Sequence, residues 1–297
     1  MQSKRQIRQL LLSAGISPNK RLGQHFLIDL NLMRLLVDSA SIQEDNIVLE
    51  VGCGTGSLTE AIVARAGRTI AVELDRNLAE IAQRQLAQAR SFELVNADIL
   101  ESKNRINPAV TGALVRAREK HAGRVLLVAN LPYNVASPVM MNLLTGPTAA
   151  DRMYVTVQKE VADRMAARPG TGDYGILSIL LDATGDVRTM RTLKPTVFWP
   201  KPQVDSAMVS FVRNGAKCDR IRNMGLLSEA VHLFMSYRRK TLAACCKLAG
   251  GELARVADWA GIFEQCRIDP TQRPEKLSAV DYVNIAESVA KSVFFVE

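Results

Sequence analysis

Between residues 47 and 213, seven short β-rich runs alternate with longer stretches of helical period. No other feature constrains the fold of this chain as tightly. The runs are Ile47–Val51, 69–73, Phe92–Asn96, Val125–Asn130, Arg152–Gln158, 187–191 and Ser206–Arg213, with amphipathic segments at 58–66, 77–89 and 139–144 among them. Strands joined through helices make a mostly parallel sheet covered on both faces, an α/β fold. Such sheets bind ligands beyond the carboxyl ends of their strands. The residues that end the runs are therefore the first candidates for chemistry.

Two stretches interrupt the pattern. Residues 101–123 form a long polar connection with a helical period over 110–120 and the cations Arg105, Arg116, Arg118 and Lys120. After Arg213-Asn214-Gly215 the strand signal stops, and helical patterns run over 226–249, 252–260 and, past turns at Pro270 and Pro274, 279–289. The expected organisation is a sheet domain over residues 1–215 and a small all-helical domain over 216–297.

Lys and Arg number 38 against 30 Asp and Glu, a net charge of +8, and the placement of the excess matters. Lys4, Arg5, Arg8, Lys20 and Arg21 all precede the first acid, Asp29. Arg238-Arg239-Lys240, on an expected helix, follow Tyr237. Clustered cations of this kind neutralise phosphates and draw a polyanion in at long range. The five cysteines (Cys53, Cys218, Cys245, Cys246 and Cys266) contain no C-x-x-C pair, and the histidines are only His25, His121 and His232. Neither a disulfide framework nor a metal site is expected. No apolar run is long enough to span a membrane. The Leu10-Leu11-Leu12 patch is too short for a signal-peptide core, so the reading is cytoplasmic, with monomer as the default.

Four strand ends carry the chemistry. Glu50-Val51-Gly52-Cys53-Gly54-Thr55-Gly56 is a glycine turn in which Ser57 stands where a dinucleotide fingerprint needs its third glycine. That spacing favours a nucleoside cofactor without a pyrophosphate over a nicotinamide. Glu73 ends the second run, where a carboxylate accepts from ribose hydroxyls, while Asp75 suits a helix cap. Asp98 ends the third, placed to accept from an adenine amine. Asn130-Leu131-Pro132-Tyr133 closes the fourth. An aromatic amine is a poor nucleophile because its lone pair is delocalised. Acceptors on its protons, the Asn130 side-chain oxygen and the Leu131 carbonyl, let the nitrogen pyramidalise. Pro132 stiffens the turn and Tyr133 offers a ring on which a base stacks. Together these ends point to methyl transfer from S-adenosylmethionine to the amino group of a base.

The chain resembles the ribosomal RNA adenine dimethyltransferases of bacterial small subunits, a branch of the class I S-adenosylmethionine-dependent methyltransferases. The resemblance runs from about Pro18 to Val289. It is carried by Lys20-Arg21-Leu22-Gly23-Gln24-His25-Phe26-Leu27-Ile28-Asp29, Asn130-Leu131-Pro132-Tyr133-Asn134 and Phe198-Trp199-Pro200-Lys201-Pro202-Gln203-Val204-Asp205-Ser206. Phe234-Met235-Ser236-Tyr237-Arg238-Arg239-Lys240-Thr241-Leu242 and Asp269-Pro270-Thr271-Gln272-Arg273-Pro274-Glu275-Lys276-Leu277-Ser278 add to it. It implies a Rossmann-like sheet with a helical, rRNA-binding C-terminal domain. His25, Leu27, Gly52, Glu73, Asp98 and Asn130 would meet the cofactor, Asn130 would serve the target amine, and Phe198 would stack on the adenine opposite Tyr133. The implied reaction is dimethylation of N6 of two adjacent adenosines in the 3′-terminal hairpin of 16S rRNA, within a partly assembled small subunit. The chain departs from the family at His25, where many relatives have Asn, at Gln203, where Lys is usual, and in its longer 101–123 connection. Two rival readings remain: a large-subunit (23S) rRNA adenine-N6 methyltransferase, and a methyltransferase-fold assembly factor. A nicotinamide dehydrogenase conflicts with Ser57 and with Asn130–Tyr133.

Overall fold

A computed structural model describes residues 1–19 and 22–294. Lys20 and Arg21 of the expected basic arm, and residues 295–297, lie outside the described residues.

The chain opens with α1 (Lys4–Ser13), whose N-cap Ser3 and Gln6 close a capping box. Next come β1 (Phe26–Leu27) and α2 (Leu30–Ser39), the latter started by the Asp29 carboxylate, which accepts from the amides of Asn31 and Leu32. Two crossovers follow: β2 (Ile47–Val51), α3 (Ser57–Val63) and β3 (Arg68–Glu73), then α4 (Arg76–Gln85) and β4 (Phe92–Asn96). The polar connection contains a small hairpin, β5 (Leu100–Ser102) with β6 (Arg105–Ile106), and then α5 (Pro108–Arg118). Asn107 caps α5, and Pro108 stands in its first turn, where a missing N–H costs nothing. The chain continues through β7 (Val125–Asn130), α6 (Ala136–Thr145), β8 (Arg152–Gln158), α7 (Lys159–Met165), α8 (Ile176–Thr184), β9 (Gly185–Leu193), β10 (Phe198–Trp199) and β11 (Ser206–Arg213). It ends in helices: α9 (Gly215–Cys218), α10 (Met224–Ser236), α11 (Leu242–Cys246), α12 (Trp259–Cys266) and α13 (Ala279–Phe294).

Seven strands form one sheet in the order β4-β3-β2-β7-β8-β11-β9. From β4 to β8 the neighbours are parallel, and β11 returns antiparallel along β8. The chain builds outward from β2 to one side through β3 and β4, then restarts on the other side of β2 with β7. Crossovers on either side of β2 and β7 leave a crevice above that strand pair, the position where such sheets hold ligands. Gly52 and Asn130 stand at these two strand ends. Burial explains why β2 and β7 are almost unbroken apolar runs: both are enclosed by helices on both faces.

The chain divides into two compact units, Met1–Ala162 with Arg188–Val212, and Asp163–Val187 with Arg213–Glu297. A single boundary near residue 215 was expected, yet 163–187 group with the C-terminal helices. The reason is α8, which buries Leu177, Ile179, Leu180 and Leu181 and packs on α10 and α13. A search for strands passes over so continuous an apolar helix. In the same unit Phe234 meets the edge of Trp259 at 5.9 Å and also contacts Phe263 and Tyr282.

Two helical expectations need correction. The expected helix 226–249 breaks after Ser236 and restarts at Leu242, where the Thr241 hydroxyl accepts from the Ala244 amide. Arg238-Arg239-Lys240 therefore form a turn rather than a helical face. The expected helix 252–260 is a 3-10 turn over Gly251–Arg255, after which Asp258 caps α12. Among the described residues no helix is long and apolar enough to cross a membrane.

Candidate active site

The glycine turn after β2 is shaped by contacts that exclude side chains. Gly52, Gly54 and Gly56 all have positive φ, 76°, 58° and 82°, a region that L side chains rarely adopt. A Cβ on Gly52 would lie 2.9 Å from Pro132 Cγ, and one on Gly54 would lie 2.9 Å from Cε1 of the Phe26 ring. The turn thus touches both the Asn130–Tyr133 segment and β1. Gly54 donates its N–H to Glu73 Oε2 at 2.8 Å, and the Asp75 N–H donates to Oε1 at 2.9 Å. Glu73 therefore fastens the turn to the end of β3. Each of its carboxylate oxygens keeps a second lone pair for a ligand.

A cavity opens above these strand ends. Its lining includes His25, Leu27, Gly52, Glu73, Asp98 and Asn130, so all six expected cofactor residues meet in one place. Leu131, Pro132 and Tyr133 line it as well. Asp98 is exposed and also accepts from the Leu100 amide at 2.9 Å. Asp75 takes the capping role, accepting from the amides of Asn77 and Leu78.

Asn130 is held in one orientation. Its Nδ2 donates to the His25 carbonyl at 2.8 Å, and since a carbonyl only accepts, the amide must present nitrogen on that side. Oδ1 is consequently turned the other way, is buried, and has no hydrogen-bond partner. A buried acceptor left unpaired costs about 1–3 kcal/mol, which a ligand N–H at that point would recover. Leu131 is fixed by its amide, which donates to the Thr156 carbonyl at 3.1 Å. The Tyr133 hydroxyl pairs with the fully buried Ser206 at 2.6 Å, and its ring stacks on His25 at 5.6 Å and 28°. Burial raises the phenol's affinity for its proton. His25 Nδ1 lies 2.7 Å from the Pro200 carbonyl, which requires the proton on that nitrogen.

Phe198 does not reach the cavity. It is 1% exposed, paired in β10 with Leu27 of β1, and buried among Leu36, Leu126, Val128 and Met208. Its ring would have to leave this apolar cluster to stack on a base opposite Tyr133, forfeiting about 1.5–3 kcal/mol of burial.

Two residues of the site were not assigned a role from the sequence. Glu50, 2% exposed, lines the cavity with Oε2 unpaired. Burial pushes its carboxyl up to about 8, against the lowering effect of Thr59 and with Glu73 adding to the rise. A lone acid within the otherwise apolar β2 was the available signal. Ser206 gave none, because its partner is on a distant strand. Glu73 is likewise raised, chiefly by burial. Three carboxyls line one cavity, and the cradle at Gly52 and Gly54 lets backbone approach an occupant.

A family model described as "Ribosomal RNA adenine dimethylase" matches residues 15–291. The "Ribosomal RNA small subunit methyltransferase A" of Pelotomaculum thermopropionicum is 36% identical over 284 residues, covering 95% of each chain. The protein of the same name from Streptomyces coelicolor is 37% identical over 287 residues, 95% of this chain and 94% of that one. Among solved structures, a dimethyladenosine transferase from Plasmodium falciparum superposes with a TM-score of 0.70 at 21% identity, over 90% of this chain and 98% of that one. The 23S rRNA methyltransferase ErmE gives a TM-score of 0.57 at 22% identity, over 89% and 99%. These two structural likenesses establish the class I methyltransferase fold.

Proposed function

The chain belongs to the ribosomal RNA adenine dimethylase family, and we propose from that premise that it dimethylates N6 of two adjacent adenosines in the 3′-terminal hairpin of 16S rRNA. It is an rRNA adenine dimethyltransferase acting during small-subunit biogenesis, in the cytoplasm and as a monomer. The observation that carries the reading is the orientation of Asn130, a residue that lines the cavity, with Nδ2 tied to His25 and Oδ1 buried and unpaired.

The cavity fits S-adenosylmethionine, which when bound supplies an electrophilic methyl on a sulfonium. Gly52 would pass close to its methionine end, Glu73 would accept from its ribose and Asp98 from its adenine amine. Asn130 Oδ1 and the Leu131 carbonyl would accept the two protons of the target amine, freeing the nitrogen lone pair from the ring. After one methylation a single N–H remains, and one acceptor suffices to hold it. No general base is needed, because the alkylated nitrogen is acidic and releases its proton to water. Tyr133, braced by Ser206 and His25, would carry the base, a stacking contribution of about 1–3 kcal/mol. With Phe198 in its apolar cluster, this reading assigns stacking to Tyr133 alone. A base reacting here must leave its own stack, as enzymes acting on bases require.

The family match and the small-subunit names of the curated relatives favour this reading over a large-subunit substrate. The oriented Asn130 favours it over a purely structural assembly factor. The test is transfer of labelled methyl from S-adenosylmethionine to undermethylated small subunits, with large-subunit RNA in parallel. Dimethyladenosine in small-subunit RNA alone is the expected result. Label in large-subunit RNA alone, or none in either with the cofactor bound, would overturn it.

A further inference from the structure

Residues ahead of the family match at residue 15 make contacts that the reaction described so far does not use. Gln2 is 7% exposed and reaches into the glycine turn. Its Nε2 donates to the Thr55 carbonyl at 3.0 Å, its Oε1 accepts from Thr55 Oγ1 at 2.6 Å, and its backbone N–H donates to Ser57 Oγ at 2.7 Å. These are the residues on either side of Gly56, where the turn passes into α3. A glutamine amide that grips both the carbonyl and the hydroxyl of one residue fixes the local backbone from outside the turn.

Ser3 then starts α1 through its capping box, so the helix direction is set directly after Gln2. The inner face of α1 buries Ile7 and Leu11 against Leu78 and Ile81 of α4, with Phe26 and Trp199 packed alongside. Ile7 is fully buried and is part of the cavity lining, next to Leu74, Leu78 and Ile99. The helix is therefore one wall of the cofactor cavity. Its outer face carries Lys4, Arg5 and Arg8, all exposed and in no ion pair among the described residues.

We propose that Gln2 is a positioning residue for the cofactor turn, and that α1 is a strap that couples docking of rRNA phosphates on its outer face to retention of the cofactor on its inner face. The inference rests on the function proposed above. One helix that walls the cavity and presents cations to a polyanion is the physical connection between the two. RNA bound to the outer face holds in place the wall that the cofactor meets, and by reciprocity the cofactor raises RNA affinity by the same factor.

The experiment measures binding rather than turnover. Affinity for undermethylated small subunits is determined with and without S-adenosylhomocysteine, and affinity for S-adenosylhomocysteine with and without subunits, for the full chain and two variants. For the unaltered chain each ligand should raise affinity for the other by about fivefold or more. Gln2→Ala, a change at a buried side chain, should weaken S-adenosylhomocysteine roughly tenfold without subunits and shrink the mutual gain towards one. Joint replacement Lys4→Gln, Arg5→Gln and Arg8→Gln should weaken subunit binding and abolish the gain at saturating subunit concentration. Independence of the two ligands in the unaltered chain overturns the strap while leaving the methyltransferase reading intact. So does Gln2→Ala binding S-adenosylhomocysteine as the unaltered chain does. Failure of the unaltered chain to bind S-adenosylhomocysteine at all overturns both.

Discussion

In the helical unit Tyr174 donates to the Leu277 carbonyl at 3.0 Å, Tyr282 to the Pro274 carbonyl at 3.0 Å, and Ser178 to the Arg164 carbonyl at 2.6 Å. In the sheet unit Glu50 Oε2 and Asn130 Oδ1, both in residues that line the cavity, are buried without a hydrogen-bond partner, and the hydroxyls of Thr59, Thr69 and Thr156 are unpaired away from it. Every such unpaired atom among the described residues lies in the sheet unit. The two units fold under the same rules and differ in what they leave unfinished. A core built for stability pairs its polar groups, because each orphan costs free energy. A site built for a ligand keeps some unpaired so that binding completes them. The helical unit instead directs its chemistry outward, through exposed Arg239 and Lys240 beside the half-exposed Tyr237, while Arg238 is engaged with Glu275 at 3.2 Å.

If this contrast is sound, substitutions in the two units fail in different ways. The largest effect should come from Asn130→Ala, with turnover reduced by on the order of 10²–10³ or more, as for loss of an oriented polar group at a reacting centre. Cofactor affinity, read by calorimetry, should stay within about twofold, and near-normal methylation would remove the role given to Oδ1. Phe234→Ala in the helical unit should do the reverse, costing about 3–5 kcal/mol of stability by thermal or urea unfolding. A fall in turnover without that loss of stability would blur the distinction between the units.

Glu50 sharpens the comparison through pH. Its carboxyl holds a proton up to about 8 in the folded chain and has an ordinary value of 4.5. Between those values the folded state binds the extra proton, so stability falls as pH rises, by at most about 1.4 kcal/mol per unit. Unfolding of Glu50→Gln without ligand should show a flatter decline from pH 5 to 8, with Glu73 keeping a weaker slope of the same sign. Equal slopes in both proteins would place the titration elsewhere. The smallest effect is expected for Arg239→Gln with Lys240→Gln, which should weaken RNA binding and lower its dependence on log salt by roughly 1–2, with stability unchanged. An unaltered salt dependence would take RNA away from this turn.

The positions of all seven sheet strands were legible because apolar period and turn residues act locally. The strand ends were legible for the same reason: Gly52, Glu73, Asp98 and Asn130, named from them, line one cavity, beside His25 and Leu27, which the family resemblance supplied. What the sequence hid depends on distant partners. The orientation of Asn130 comes from the backbone of His25, the fixing of Tyr133 from Ser206, and the fixing of Thr55 from Gln2. The burial of Phe198 follows from its pairing with Leu27, which a two-residue strand does not announce. The break at Tyr237 was missed because the apolar period of α10 continues past the turn into Leu242.

Gly52 and Pro132 bear on how such a chain changes over generations. The space for a side chain at one is already filled by the ring of the other. A side chain added at Gly52 meets Pro132 before it meets any ligand. The glycine turn and the Asn130–Tyr133 segment are therefore bound by one steric constraint: a lineage that enlarges position 52 has to change position 132 with it.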